Sequence, residues 1–587
     1  MNQSARRARH ILLMVVLLLC VCIVRLVNLQ IVQAPELAAE GEAVRTSKSD
    51  IAAKRGQITD ATGMVLADSI LTYDIAVNQE NIRKYVHYEK QEVEGQTKNV
   101  VVGYGPTEAA RQLSELLGMT TAELGGLFVG SSSYEYVKRN VDAVTYRKIR
   151  ALNIYGIEWE AVYERTYPNG ALAAPVIGTV DANGKGSSGI EAQYTDSLKG
   201  IPGTEAFEIA PNGAVIPGGK KTVKNPVDGA SVALTIHADL QHQVQELLDE
   251  RVSRHQADWG SIVVEDVSTG QILVLADSNS TVPDNANLQA VSAVQYAVEP
   301  GSVGKLVTFA TALEAGSITP TTVFNVPYQL DLADAGGPIT DFHEHSGEVL
   351  TATGILAESS NTGTVLVGQT VSDEQRYTMM RGLGFGEPTG IELPGETGGS
   401  VRPDTEWLGR DRYVSMFGQS YSISPLQEAS FLATIANGGV RIAPRIVKSV
   451  TNADGTVVIP EAPTPTQAMN AQTAQTLMTM MESVVEDKLG TAGAAKVNGY
   501  RLGVKTGTAD IILEDGGHGV VSTTAGLLPV DAPRLAISVV LYNPKVGYIS
   551  SDSSAPLFGD VAKVAVRNLG IPASSSSPDL YPTTPTQ

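Results

Sequence analysis

Cysteine is nearly absent from this sequence: two occur in 587 residues, Cys20 and Cys22, and both fall inside an apolar N-terminal run. The remainder of the chain therefore has no disulfide and no thiolate metal site. No small residue precedes the thiol in Leu18-Leu19-Cys20, which argues against a lipidated terminus. Positive charge is also in deficit, with 43 Lys and Arg against 63 Asp and Glu and a net charge of −20. That balance repels phosphate backbones, excludes nucleic acid as a partner and suits a solvated extracellular domain. Aromatic residues make up 5%, and no repeat of fixed period is present.

The length exceeds what one compact core can use, so two or three domains are expected. The chain opens on Arg6, Arg7 and Arg9, followed by uninterrupted apolar sequence from Ile11 to Val24. The positive-inside rule places residues 1–10 in the cytoplasm and the bulk of the chain outside. Leu26, Val27, Leu29, Ile31 and Val32 extend the run to 11–32, long enough for the ~20 residues a membrane span needs, with Arg25 snorkelling to the interface. A single-pass anchor in the cytoplasmic membrane is expected. A cleaved signal peptide, with Ala38-Ala39 as small residues beyond the run, is the competing reading, and either one exports the chain.

Residues 33–229 read as a non-catalytic module. Ile58-Thr59-Asp60 running into Met64-Val65-Leu66 has the alternation and turn residues of a hairpin. Thr107 is a candidate N-cap for a helix carrying Ala110, Leu113, Leu116 and Leu117 and closed by Gly118. Tyr85–Gly105 reads as a polar excursion, and Pro211–Asp228, with Gly218-Gly219, Pro217 and Pro226, as a linker. A second domain, 230–572, opens with a helix near Leu240–Val252. Strands are expected over Ser261–Val267, Gln271–Ala276 and Leu535–Tyr542, with helices between them in sequence. This indicates an α+β or α/β sandwich rather than a doubly wound sheet. The Ser/Pro/Thr-rich end, 573–587, reads as a disordered tail.

Chemistry concentrates in this second domain. In Glu299-Pro300-Gly301-Ser302-Val303-Gly304-Lys305 a Pro/Gly turn leads into a helix whose apolar face is Leu306, Phe309, Ala310 and Leu313. Ser302 and Lys305 then project from one face of the first turn. A serine hydroxyl needs a base, and Lys305 can be that base if desolvation or a neighbouring cation lowers its pKa. Backbone N–H groups at the helix start are material for an oxyanion hole. Alone, S-x-x-K should arise by chance about once in such a chain, as an ordinary helix cap. Its company raises it: Ser359-Ser360-Asn361 and Lys505-Thr506-Gly507-Thr508 follow in that order. Lys505 would place a positive charge near Lys305, and Gly507 would let substrate backbone pair with its strand. Thr506 and Thr508, on one face, could bind a carboxylate. Asn361 can both donate and accept, and Ser359 can pass a proton.

With these elements the sequence resembles the penicillin-binding proteins and serine β-lactamases, which share S-x-x-K, S-x-N and K-T-G. Arg55-Gly56 to Leu66, Arg165 to Pro168 and Gly189-Ile190-Glu191 are similar to the pedestal of class B penicillin-binding proteins. Phe417-Gly418-Gln419-Ser420 and Ser424-Pro425-Leu426-Gln427 extend the likeness over nearly the whole chain. The resemblance implies an antiparallel sheet flanked by helices on an extended pedestal. It implies D,D-transpeptidation of peptidoglycan stem peptides, with Ser302 as nucleophile, Lys305 as base, and Ser359 and Asn361 as proton relay and substrate clamp. Lys505, Thr506 and Thr508 would hold the stem peptide's terminal carboxylate, and the backbone N–H groups of Ser302 and Thr508 the oxyanion. It implies acylation by β-lactams and no cofactor. It also implies dependence on a separate membrane glycosyltransferase and on division or elongation machinery.

Three positions depart from the family pattern: Gly304, Val504 and Ser360. They bear on acylation rate and β-lactam sensitivity, not on the reacting groups. Asp341, His343, Glu344 and His345 could be metal ligands, but the commoner meaning of such a segment is a solvated polar loop. Pro300 breaks a G-x-S-x-G elbow, and no E-x-x-L-N follows the second motif to activate water. His518, beside Gly516-Gly517, reads as a hairpin-loop residue. A carboxypeptidase or β-lactamase on the same fold, or a non-enzymatic β-lactam receptor or scaffold, are the alternatives.

Overall fold

In this computed structural model, residues 3–37, 46–93, 96–209, 215–278, 290–332, 334–513 and 516–585 are described. Ala38-Ala39 and Pro211–Ala214, which entered the sequence reading, lie outside them. The chain interleaves between two compact units. One comprises Met1–Lys54, Leu71–Glu164 and Gly200–Asp228, and the other Arg55–Ile70, Arg165–Lys199 and Gly229–Gln587.

In the first unit the N-terminal run is a helix, Gln3–Val27, continued by a wider turn over Asn28–Val32. Arg6–Val32 is long and apolar enough to cross a membrane, and none of it is buried. Thr46–Ile51, Gly203–Ile209 and Val215–Lys224 form an antiparallel three-stranded sheet. The expected linker is thus in part a strand: main-chain pairing of Lys220–Lys224 with Thr204–Phe207 absorbs a segment whose glycines and prolines suggested a connector. The expected excursion is a hairpin, Val86–Val93 with Gln96–Tyr104. The amphipathic helix runs Gly105–Leu117, burying Ala109, Ala110, Leu113 and Leu117, and Gly118 closes it in the left-handed conformation (φ 62°). It starts ahead of Thr107 because Pro106 fits its first turn, where no N–H donor is needed.

The second unit is organised by an antiparallel sheet whose strands are β1 (Trp259–Asp266), β2 (Ile272–Asp277), β3 (Gly503–Ile512), β4 (His518–Leu528) and β5 (Leu535–Tyr542). Their order is β2-β1-β5-β4-β3, which leaves β3 on the edge. His518 opens β4, opposite Ile512, so it belongs to the ladder rather than to the loop. Leu535–Leu541 is buried on both faces, as a strand covered by helices on each side must be. Helices α1 (Ala238–His255) and α7 (Ser554–Asn568) cover one face. On the other lie α2 (Lys305–Glu314), α5 (Pro425–Ala436) and α6 (Ala471–Glu486), with two short helices, α3 (Ala352–Glu358) and α4 (Asn361–Gly368). Ser424 caps α5, reciprocated by Gln427, with Pro425 in its first turn.

The three scattered sequence fragments of the pedestal likeness meet inside this unit. Glu191, fully buried, accepts from Arg55 Nε at 2.7 Å and from Arg165 Nε at 2.6 Å. Arg165 also donates to the Gly56 carbonyl at 2.8 Å. A buried carboxylate is tolerable only with such partners.

The C-terminal segment is not the unstructured tail its composition suggested. Ser574 Oγ accepts from Arg501 N at 2.9 Å and donates to Asp531 at 2.7 Å. Tyr581 packs on the main core. Thr351, the N-cap of α3, donates its N–H to the Thr583 carbonyl at 3.1 Å and its hydroxyl to the Pro582 carbonyl at 2.6 Å. A Cβ on Gly354 would stand 2.0 Å from the Thr583 carbonyl oxygen, so only glycine lets the tail this close. A polar segment can dock in this way because its main-chain carbonyls, rather than apolar side chains, carry the contact.

Candidate active site

Ser302 lies on a 3-10 turn, Gly301–Gly304, that leads directly into α2. The turn is wedged between the edge strand β3 and the Phe417–Ser420 loop. A Cβ on Gly507 would be 2.6 Å from the Pro300 carbonyl oxygen and 3.2 Å from Val303 N, so a side chain there would push β3 off the serine turn. From the other side, Gly301 N donates to the Gly418 carbonyl at 3.0 Å, and Ser420 N to Glu299 at 2.8 Å. Gly304 has the same explanation: its Cβ would lie 2.3 Å from Tyr421 Oη and 2.5 Å from Gly418 Cα. The buried Tyr421 ring takes the space that a larger residue before the lysine would need. Val504 points away from the site into the main core, against Gly526.

Lys305 is fully buried, and its ammonium donates to the Ser359 carbonyl and, at 3.2 Å, to Ser359 Oγ. Lys505, equally buried, donates to the same Oγ at 2.8 Å and to the Thr506 carbonyl at 2.9 Å. Ser359 can serve both because it ends α3 in the left-handed conformation (φ 68°), which turns its side chain and carbonyl toward the two amines. Burial drives the Lys305 ammonium down to about 7, against the opposing pull of Asp341 and Glu358. Burial, and then the charge of Lys305, drives Lys505 well below the ordinary lysine range. The sequence reading made Lys505 a fixed charge. Burial instead works against that charge, as it does at Lys305, and the two amines meet on one hydroxyl.

Strand alternation puts Lys505 and Gly507 on the serine side of β3 and Thr506 and Thr508 together on the other. Their hydroxyls meet Thr491 Oγ1 at 2.7 Å and Ser550 Oγ at 2.9 Å. Asn361 starts α4, with Nδ2 donating to the Thr340 carbonyl at 3.1 Å. Asp341 and His345, read as solvated, are mostly buried, with 9% and 14% of their side chains exposed, because the Ser360–Thr362 turn binds Asp341. His343 and Glu344 are exposed. Tyr421, Thr491 and Ser550 carry no signal in the sequence, because none stands at a fixed spacing from a motif, and Asp341 stands out there only as a candidate metal ligand in a polar loop.

All three motifs thus converge within the second unit, with one serine hydroxyl bridging two buried lysines beside the Ser302 turn. Residues 260–563 match the penicillin-binding protein transpeptidase domain, and 50–234 the penicillin-binding protein dimerisation domain. The chain belongs to the penicillin-binding proteins. Within that family, a dimerisation domain ahead of a transpeptidase domain is the class B arrangement. This class B protein is 32% identical to penicillin-binding protein PbpB of Mycolicibacterium smegmatis over 96% of its own length and 90% of the relative's. It is 30% identical to peptidoglycan D,D-transpeptidase FtsI of Escherichia coli, over 94% and 92% of the two chains. A crystal structure of a peptidoglycan synthetase from Bifidobacterium adolescentis aligns with a TM-score of 0.73 at 32% identity, over 92% of this chain and 100% of that one. Penicillin-binding protein 3 of Mycobacterium tuberculosis, solved with aztreonam, aligns with a TM-score of 0.68 at 27% identity, over 91% and 100%.

Proposed function

We propose that this penicillin-binding protein cross-links peptidoglycan by D,D-transpeptidation through an acyl-enzyme on Ser302. The observation that carries the reading is the Lys305–Ser359–Lys505 bridge set against the Ser302 turn. Ser302 Oγ attacks the carbonyl carbon of the D-Ala-D-Ala amide while its proton passes to Lys305, whose amine burial keeps available as a base. The N–H groups of Ser302 and Thr508 hold the oxyanion; the Thr508 carbonyl carbon stands only 3.0 Å from where a Gly301 Cβ would be. The tetrahedral intermediate breaks its C–N bond, Ser359 relays the proton to the leaving nitrogen, and D-alanine departs. An acceptor amine then attacks the ester, loses its proton by the same relay and returns Ser302 to its hydroxyl form.

Asn361 orients the donor's amide, and Gly507 leaves β3 open to pair with its backbone. The donor's terminal carboxylate lies along the edge strand β3, where the Thr506 and Thr508 hydroxyls bind it and its charge favours the protonated form of Lys505 from across the strand. A β-lactam presents the same carboxylate and carbonyl and acylates the same serine.

Residues 11–32 anchor the protein in the cytoplasmic membrane, with 1–10 inside, 33–229 as pedestal and 230–572 as the catalytic domain outside. Support comes from the exposed apolar helix Arg6–Val32, about 40 Å long at 1.5 Å per residue, against a hydrocarbon core of about 30 Å. Glycan strands come from a separate membrane glycosyltransferase, within division or elongation machinery. The test is covalent labelling of the purified chain by a fluorescent penicillin and its loss in Ser302→Ala. Folded wild-type protein that takes no label would refute the assignment.

A further inference from the structure

The segment ahead of α3 carries a carboxylate that the acyl-transfer steps do not use. Asp341 Oδ1 accepts from the backbone N–H groups of Asn361 and, at 3.0 Å, of Thr362. Oδ2 accepts from Ser360 Oγ at 2.8 Å and Thr362 Oγ1 at 3.0 Å, and meets His345 Nε2 at 3.2 Å. Each of these partners except His345 belongs to the turn that joins α3 to α4, the turn that presents Ser359 and Asn361. The preceding residue adds to the hold, since the Thr340 carbonyl accepts from Asn361 Nδ2 at 3.1 Å. One largely buried carboxylate thus meets the first N–H groups of α4, which have no partner within the helix, and its charge also complements the helix dipole.

We propose that Asp341 is a positioning residue for the acyl-transfer reaction: its carboxylate fixes the Ser360–Thr362 turn and thereby aims Ser359 and Asn361 at the Ser302 centre. This rests on the Ser302 reading above. Ser359 keeps its carbonyl on Lys305 and its hydroxyl on both Lys305 and Lys505. A misplacement of about 1 Å in such a relay costs on the order of 100-fold in rate. The same carboxylate faces Lys305 from the 341 segment, and it is one of several groups around that amine. Glu358 faces Lys305 from α3 and Lys505 from β3, while Glu348 and His345 lie next in line beside Glu358 and Asp341. Asp341 therefore acts on the site twice, by geometry and by charge.

Two substitutions separate the actions. Asp341→Asn keeps an oxygen for the two backbone N–H groups but removes the charge, whereas Asp341→Ala removes both. With full-length protein in detergent and fluorescent penicillin as probe, Asp341→Ala should lower the acylation rate constant about 100-fold, with non-covalent affinity changed far less. Asp341→Asn should lose less than Asp341→Ala and shift the acid limb of its rate profile to lower pH, because Lys305 loses an anion that favours its protonated form. If Asp341→Ala does not fold, Asp341→Asn decides. Wild-type rates in folded Asp341→Ala, or an unmoved acid limb in Asp341→Asn, would overturn the proposal. Absence of label on wild-type protein would instead strike the Ser302 reading itself.

Discussion

Lys505 Nζ donates to Ser359 Oγ at 2.8 Å, across 146 residues of sequence. The third motif therefore holds the second directly, and Lys305 joins them from the first. Removing the shared hydroxyl leaves two buried amines without a common acceptor. Ser359→Ala should slow acylation about 100- to 10,000-fold, the range of a lost proton relay. Time courses of penicillin labelling, with circular dichroism to confirm the fold, measure it.

The acid limb of the wild-type acylation profile should lie near the Lys305 value of about 7, since only the neutral amine takes the Ser302 proton. Stability has the matching sign. Between that value and the ordinary 10.5, the unfolded chain binds a proton that the folded chain does not, so stability rises with pH across this window. Thermal melts at pH 7 and pH 9 should show the rise in wild type and a smaller one in Lys305→Met.

Gly304→Ala should destabilise the domain by about 1–3 kcal/mol through overpacking, and should slow labelling as the serine turn shifts. The added Cβ meets Tyr421 Oη at 2.3 Å, so Tyr421→Phe should restore part of both losses. Full additivity of the two changes would contradict the contact.

Glu191→Ala should destabilise by about 3–5 kcal/mol, the consequence of leaving Arg55 and Arg165 buried without their anion. Denaturant unfolding of the full chain is the measurement.

Deleting 574–587 should loosen α3 ahead of the active-site turn, because Thr351 loses both of its tail acceptors. Hydrogen exchange should show lost protection across 352–358, and exchange unchanged there would contradict a structural role for the tail.

Much of the site was legible because its chemistry is carried by motif residues whose order survives in the sequence. Lys305, Ser359 and Lys505 share one hydrogen-bonded bridge; Lys305 directly follows the turn that carries Ser302, and Asn361 opens the helix after Ser359. Strand Leu535–Tyr542 was equally plain, since burial on both faces leaves an unbroken apolar run. Residues that act through one long-range contact left no such trace. Asp341 looked like a member of a solvated loop, and Tyr421 like any core aromatic. Gly304 stood out as a departure, yet its reason lay in Tyr421 and Gly418, far away in sequence. The tail misled because composition reports apolar payload, whereas Pro582 and Thr583 dock by carbonyl oxygens that every residue type possesses.

That docking makes a lever of two stretches far apart in the chain. A pull on 582–583 is felt at the Thr351 cap and passes down α3 to Ser359, which ends that helix. A partner or label joined beyond 583 would therefore tug on the lysine bridge from a distance in sequence that conceals how near it is in space.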